Sequence, residues 1–289
     1  MPPPVAVVTD STAYLPPEEV SRLGIIVVPL QVVVGGRSFD DMARADGPSV
    51  GDALRERGRM TTSRPAPRRF AEAYDEAAAR GATGIVSIHL SAEMSGTVEA
   101  ARAGAEDSPI PVDVVDSRSI AMGLGFPVLA AASAAAEGAT RAEVADAARR
   151  CAESVRSFFY LDTLEYLRRG GRIGAAETLL GSALMIKPIL HISDGTIVPL
   201  EKVRTASRAI ARLEDLAVEA AGAGPVEVAV QHLGARSRAE TLAARLPLRI
   251  PALTKVVVVE VGPVIGAHVG PGMLGITISS RESPPSSEW

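Results

Sequence analysis

A chain of 289 residues with 47% hydrophobic content is long enough to bury one large core or two ordinary ones. Thirty basic against 34 acidic side chains leave a net charge of −4, which offers no general attraction to nucleic acid or to an anionic membrane surface. The single cysteine, Cys151, can form neither an internal disulfide nor a cysteine-based metal site, and it points to a reducing compartment.

The opening "MPPPVAVVTD" has no basic segment and meets Asp10 after a short apolar run, so it does not read as a secretory signal. Beyond it, short β-branched runs alternate with Ala-rich, charge-flanked segments, the pattern of strands joined by crossover helices. Strands are expected at 5–9, 25–34, 85–89 and 112–115, and helices at 17–23, 50–57, 66–80, 96–105 and 119–137. The longest apolar region, 121–136, is broken by Gly123, Gly125, Pro127 and Ser133 and falls short of a membrane span. Thr140 and Glu143 form a capping box that opens one more helix.

The second half reads differently. After "SFFYLDT" come a helix ending at Gly170-Gly171, another near 175–184, and two strands, 185–192 and 196–202, joined through Ser193-Asp194-Gly195. An Asp-Gly turn between apolar runs signals a hairpin, and hairpins belong to antiparallel sheets. Helices at 205–221 and 237–246 and strands at 226–231, 255–261 and 274–279 follow. The expected architecture is α/β with two domains: 1–157, a parallel sheet flanked by helices, and 158–281, an α+β domain with a mixed or antiparallel sheet. Residues 282–289 are polar, rich in Pro and Ser, and expected to be a disordered tail.

Several chemistries lack their residues. No Gly-Lys dipeptide occurs, so there is no Walker A phosphate loop. Gly270-Pro271-Gly272-Met273-Leu274-Gly275 matches a dinucleotide fingerprint in letters only, because it leads into a strand and Pro271 has no N–H to offer a phosphate. His89, His191, His232 and His268 have no metal-ligand spacing, and no G-x-S-x-G elbow is present.

What is present is a set of hydroxyls at a strand-to-helix junction. In "HLSAEMSGT", residues 89–97, Ser91, Ser95 and Thr97 fall at the carboxyl edge of a parallel sheet and at a helix start, where N–H groups and the helix dipole favour an anion. Ser95 is equally readable as a simple N-cap. Thr61-Thr62-Ser63-Arg64-Pro65 is a second hydroxyl cluster ahead of a helix. Arg168-Arg169-Gly170-Gly171-Arg172 places guanidinium groups around a helix stop, and residues 262–272 isolate His268 in an apolar, glycine-rich setting that suits a buried turn.

Taken in order, "VVTDSTAYLP" (7–16), "TSRPAP" (62–67), "IHLSAEMSGT" (88–97), "VVDSRSIAMGLG" (114–125), "LDTLEYLRRGGRIG" (161–174), "IKPIL" with "DGTIVPLEKVRT" (through 205) and "GPVIGAHVGPGMLGI" (262–276) resemble the DegV family over nearly the whole chain. The resemblance implies two α/β domains and a long-chain fatty acid in an apolar tunnel with its carboxylate near the domain junction; the cytoplasm is the compartment expected from the single cysteine and from an opening that does not read as a signal. It further implies presentation of that carboxylate to a separate ATP-binding fatty-acid kinase subunit for acyl-phosphate formation, with no catalysis by this chain and no cofactor or metal beyond the bound lipid. By position, the family's carboxylate-binding threonine falls on Thr62 and its serine on Ser95; Arg172 and His268 fall on residues near the head group that serve its orientation or the partner's phosphoryl transfer. The chain departs from the family at Arg64, usually Gln, at Glu93, usually small, and at Met94, usually Leu. A serine-dependent esterase or acyltransferase using Ser95 and His268 is the alternative, and it requires the two within hydrogen-bond reach.

Overall fold

The computed structural model describes residues 4–34, 36–41, 60–179 and 186–280. These fall into two compact units, one of residues 4–41 and 62–153 and the other of 60–61 and 154–280. The expected helix at 50–57, residues 180–184 of the helix expected near 175–184, Met185 and the tail lie outside the described residues.

In the first unit, β1 (Val5–Asp10), β2 (Ile26–Val28), β6 (Gly84–His89) and β7 (Val112–Asp116) form a parallel sheet ordered β2-β1-β6-β7. The registers Thr9↔Ile88 and His89↔Asp116 align the carboxyl ends of three strands along one edge. Helices Pro67–Ala79 and Thr97–Ala105 close over the sheet through Phe70, Tyr74, Ala100 and Ala101, which pack with Val8 and Ile85. Helix Met122–Ala136 lies against β1 and β6 and is buried on nearly every side, which explains why its sequence is apolar without being a membrane span. Among the described residues no helix is long and apolar enough to cross a membrane.

The run expected as one strand at 25–34 is two strands in different sheets. β2 stops at Val28 because Pro29 brings no N–H to a ladder, and Leu30 instead donates its N–H to Ser11 Oγ at 3.0 Å. The chain then enters β3 (Gln31–Val34), which pairs antiparallel with β4 (Arg37–Asp40) in a small sheet ordered β4-β3-β5, where β5 is Met60–Ser63.

The second unit is a mixed, mostly antiparallel sheet of β8 (Arg156–Tyr160), β9 (Lys187–Ser193), β10 (Thr196–Val203), β11 (Val226–His232), β12 (Leu253–Glu260) and β13 (Leu274–Ser280). Its order is β10-β9-β8-β13-β11-β12, with β11 and β12 parallel and the other pairs antiparallel. The β9–β10 hairpin turns through Asp194 and Gly195 at φ 48° and 79°, two positive angles that match the twist of the strands they join. Alternate residues Phe158, Tyr160, Val226, Val228, Val230, Leu274, Ile276 and Ile278 form one face. Helices Ala206–Ala221 and Arg236–Arg249 cover it with Leu213, Leu216, Leu242 and Leu246. Thr205 caps the first of these by accepting the Arg208 N–H at 3.3 Å. The helix expected near 175–184 is, where described, a 3-10 turn at Gly174–Leu179.

Candidate functional site

The aligned carboxyl edge of the parallel sheet is built around a buried carboxylate. Asp10 is fully buried; its Oδ1 accepts the Thr12 N–H at 3.0 Å and the Thr12 hydroxyl at 2.5 Å, which turns the chain out of β1. Its Oδ2 accepts the Leu90 N–H at 3.0 Å and faces His89 Nδ1 at 3.1 Å. His89 Nε2 meets Ser87 Oγ at 2.7 Å, and Ser87 accepts the Tyr74 hydroxyl at 2.9 Å. Burial pushes the Tyr74 phenol up to about 12, against the opposing pull of its bond to Ser87, so it stays a donor. A serine, a histidine and an aspartate thus stand in line, but all three are closed to solvent and have no substrate access. None of Asp10, Ser87 or Tyr74 was singled out from sequence; polar residues in the otherwise apolar runs "VAVVTD" and "GIVSIH" were the available signal.

Beyond His89 the chain makes a tight turn. Ser91 donates its N–H to Ser119 O at 2.9 Å, and its carbonyl accepts the N–H groups of Met94 at 3.0 Å and Ser95 at 3.1 Å. Asp116, at the end of β7, accepts the Ala92 N–H at 3.3 Å. Ser95 is not the N-cap of the following helix. That position is Gly96, which has no side chain to cap with, and the half-buried Ser95 instead shares a hydrogen bond of 2.9 Å with the buried Thr97 hydroxyl. Helix Thr97–Ala105 therefore begins without a side-chain cap, beside two hydroxyls.

Thr62 lies in β5, half-buried, and is followed by Ser63 and Arg64. Arg64 Nη1 reaches Gly96 O at 3.3 Å, and a Cβ at Gly96 would overlap that guanidinium. The two hydroxyl segments of the first unit are joined in this way by Arg64. Glu93 is exposed, so its carboxylate is solvated, while its N–H is held by Ser91 Oγ at 3.2 Å. Near this edge Ala121 adopts φ 56°, ψ −137°, a conformation that costs a non-glycine residue energy and that the surrounding buried loop must hold. A cavity of about 400 Å3 also exists in this unit, but at the amino edge of the sheet, lined by Val5, Val7, Leu23, Ile26, Ala132 and Ala135.

Arg172 and His268 belong to the second unit, and the structure brings them together. The segment expected as a turn around His268 is a helix, Pro263–Val269, with proline at its start and glycine at its end. It packs on helix Glu165–Arg169 so closely that a Cβ at Gly170 would overlap His268 Nδ1. Two further glycines yield to side chains: a Cβ at Gly270 would strike the Tyr166 ring, and one at Gly272 would strike Asp162 Oδ2. Asp162 is fixed in turn by Lys187, whose Nζ donates to Oδ1 at 2.7 Å and to the Asp162 carbonyl at 3.1 Å.

The arginine cluster divides by role. Arg168 and Arg169 both bond Glu165 at 2.7 Å, which holds that carboxyl down at about 2, whereas Arg172 Nη1 donates to Gly170 O at 2.7 Å. Burial, and then the positive charge of Arg172, lower His268 to about 4, so its imidazole is neutral at pH 7. His191 stacks on Phe158 with ring centroids 6.4 Å apart and His232 is buried, so neither joins the site. No group of three or more potential metal ligands occurs among the described residues.

The family model described as "Uncharacterised protein, DegV family" matches residues 4–281. A DegV domain-containing protein of Streptomyces coelicolor is 55% identical over 277 residues, covering 96% of this chain and 99% of that protein. The structure of a fatty-acid-binding DegV family protein from Thermus thermophilus matches with a TM-score of 0.89 at 31% identity, over 96% of this chain and 99% of the other. DegV of Bacillus subtilis, described as a fatty acid binding protein, matches with a TM-score of 0.87 at 33% identity and the same coverage.

Proposed function

Because the chain belongs to the DegV family, we propose that it binds a long-chain fatty acid in an apolar tunnel and holds the carboxylate with Thr62 and Ser95. The observation that carries this reading is the helix start at Thr97: it has no side-chain cap, and the Ser95–Thr97 hydroxyl pair stands beside it. A carboxylate there gains the helix dipole and hydroxyl donors without requiring a buried cation. Fatty-acid-binding relatives with TM-scores of 0.87 and 0.89 support the same ligand.

Magnitudes assign the tasks. Burying about fourteen methylenes at about 0.8 kcal/mol each gains on the order of 11 kcal/mol before association costs, whereas one charged hydrogen bond contributes about 1.5–3 kcal/mol. The apolar wall supplies affinity, and the hydroxyls decide which end of the lipid is read.

In this reading the chain is a carrier rather than an enzyme. It works in the cytoplasm and presents the carboxylate to an ATP-binding fatty-acid kinase subunit, where a carboxylate oxygen attacks the γ-phosphorus and ADP leaves. The chain has no phosphate loop of its own. Arg172 and the neutral His268 serve the head group or that transfer. As an esterase it would need an imidazole bonded to Ser95, whose hydroxyl is instead engaged with Thr97.

Protein purified gently, denatured and extracted should yield about one long-chain fatty acid per chain by mass spectrometry, and an empty extract would end the proposal. Ser95→Ala and Thr62→Ala should weaken retention of free acids about tenfold while leaving methyl esters nearly unaffected. Equal loss of acid and ester would mean that the hydroxyls do not read the carboxylate.

A further inference from the structure

We propose that Asp10 and His89, buried beneath the hydroxyl turn, are positioning residues for the Ser95 hydroxyl; this rests on the reading that Ser95 recognises a carboxylate. Three consecutive links connect them. Asp10 Oδ2 fixes the Leu90 N–H at 3.0 Å, the next residue's carbonyl, Ser91 O, fixes the Ser95 N–H at 3.1 Å, and the Ser95 hydroxyl meets Thr97 Oγ1 at 2.9 Å. Asp10, Ser91 and Thr97 are all buried, so the path is anchored away from water up to Ser95, which is itself half-buried.

Asp10 accepts four donors, two from Thr12, one from Leu90 and one from His89 Nδ1. His89 Nε2 shares a hydrogen bond of 2.7 Å with Ser87 Oγ, and the Tyr74 hydroxyl donates to Ser87 Oγ at 2.9 Å with Ala101 O at 3.3 Å. The His89 ring is held edge-on to Phe70 at a centroid distance of 5.0 Å. A buried carboxylate that gives up any of these donors loses compensation for its own desolvation, so it resists displacement. The turn carrying Ser95 is in this way ordered during folding rather than when ligand arrives, which spares binding that cost.

The network has a built-in control. The hydrogen bonds of Ser87 go to His89 and Tyr74, on the far side of the imidazole from the turn, so removing it damages the core without cutting the path to Ser95. Asp10→Asn leaves a single acceptor oxygen for donors that use two, and an amide turned with its nitrogen towards Leu90 sets N–H against N–H and cuts the path.

The test measures binding of palmitate and methyl palmitate to the delipidated full-length chain, together with urea unfolding midpoints, for wild type, Asp10→Asn, His89→Gln and Ser87→Ala. Asp10→Asn should lose palmitate affinity about tenfold while methyl palmitate stays within about twofold. Ser87→Ala should lower the unfolding midpoint with the acid-to-ester ratio unchanged. The inference is overturned if Asp10→Asn leaves that ratio at the wild-type value, or if Ser87→Ala shifts it equally. Should Asp10→Asn fail to fold, His89→Gln gives the same reading, since it removes the ring that holds Oδ2 in place. Failure of the wild type to bind either probe is a different result: it overturns the underlying carboxylate reading and this inference with it.

Discussion

His268 remains uncharged at neutral pH because it is wedged against Gly170 with the Arg172 guanidinium nearby, and both burial and that charge oppose protonation. The consequence for stability has a definite sign. The unfolded imidazole takes up a proton near 6.5, the folded one only near 4, so within that window the unfolded chain binds more protons. This contribution is intact above pH 6.5, is lost progressively as pH falls towards 4, and then levels off. His191 and His232, also lowered by burial, act in the same direction. An NMR titration should place the His268 imidazole near 4, and His268→Gln should flatten the acid limb of the unfolding midpoint against pH. A His268 titrating at 6.5 would remove the argument. At this scale Thr62, Ser95, Arg172 and His268 draw attention in the sequence because hydroxyls, guanidinium groups and a lone histidine stand out at element ends, and their role at a head group is the proposal made above. Asp10 and Ser87 do not stand out, because a polar residue inside an apolar strand has no periodic signature until its partner, 79 positions away for Asp10 and His89, is in place.

At the scale of elements, glycine decides how closely two short helices approach. Gly170 closes helix Glu165–Arg169 against helix Pro263–Val269, and the methyl group of Gly170→Ala has to displace the His268 ring. Overpacking of this kind should cost about 1–3 kcal/mol in urea unfolding and shift the His268 NMR signals, and a neutral substitution would mean that the contact is loose. Three strands of the parallel sheet, β1, β6 and β7, and the long helices are readable from period and composition. Helix Pro263–Val269 was not recognised, although Pro263 in its first turn and Gly270 after its end are the asymmetric helix signals; glycine content suggested a loop. The 25–34 run reads as one strand because its β-branched residues conceal the single proline that sends the chain to another sheet. β5 is short and made of Met60, Thr61, Thr62 and Ser63, so it registered as a hydroxyl cluster before it registered as a strand.

At the scale of the whole molecule, each unit has a core of its own. Phe158, Leu213, Val228, Leu242 and Ile276 belong to one buried cluster assembled within the second unit. A chain covering residues 154–280 should therefore fold alone, with a cooperative urea transition and dispersed amide signals. A non-cooperative transition would show that this core is insufficient. The order of that sheet carries a consequence for synthesis. β13, last of the described strands to leave the ribosome, is inserted between β8 and β11, both made earlier. Until residues 274–280 emerge, the nascent unit holds two unsealed strand edges that can join any neighbouring chain, so the interval between translating β11 and translating β13 is when this protein is most exposed to misassembly and to chaperone capture.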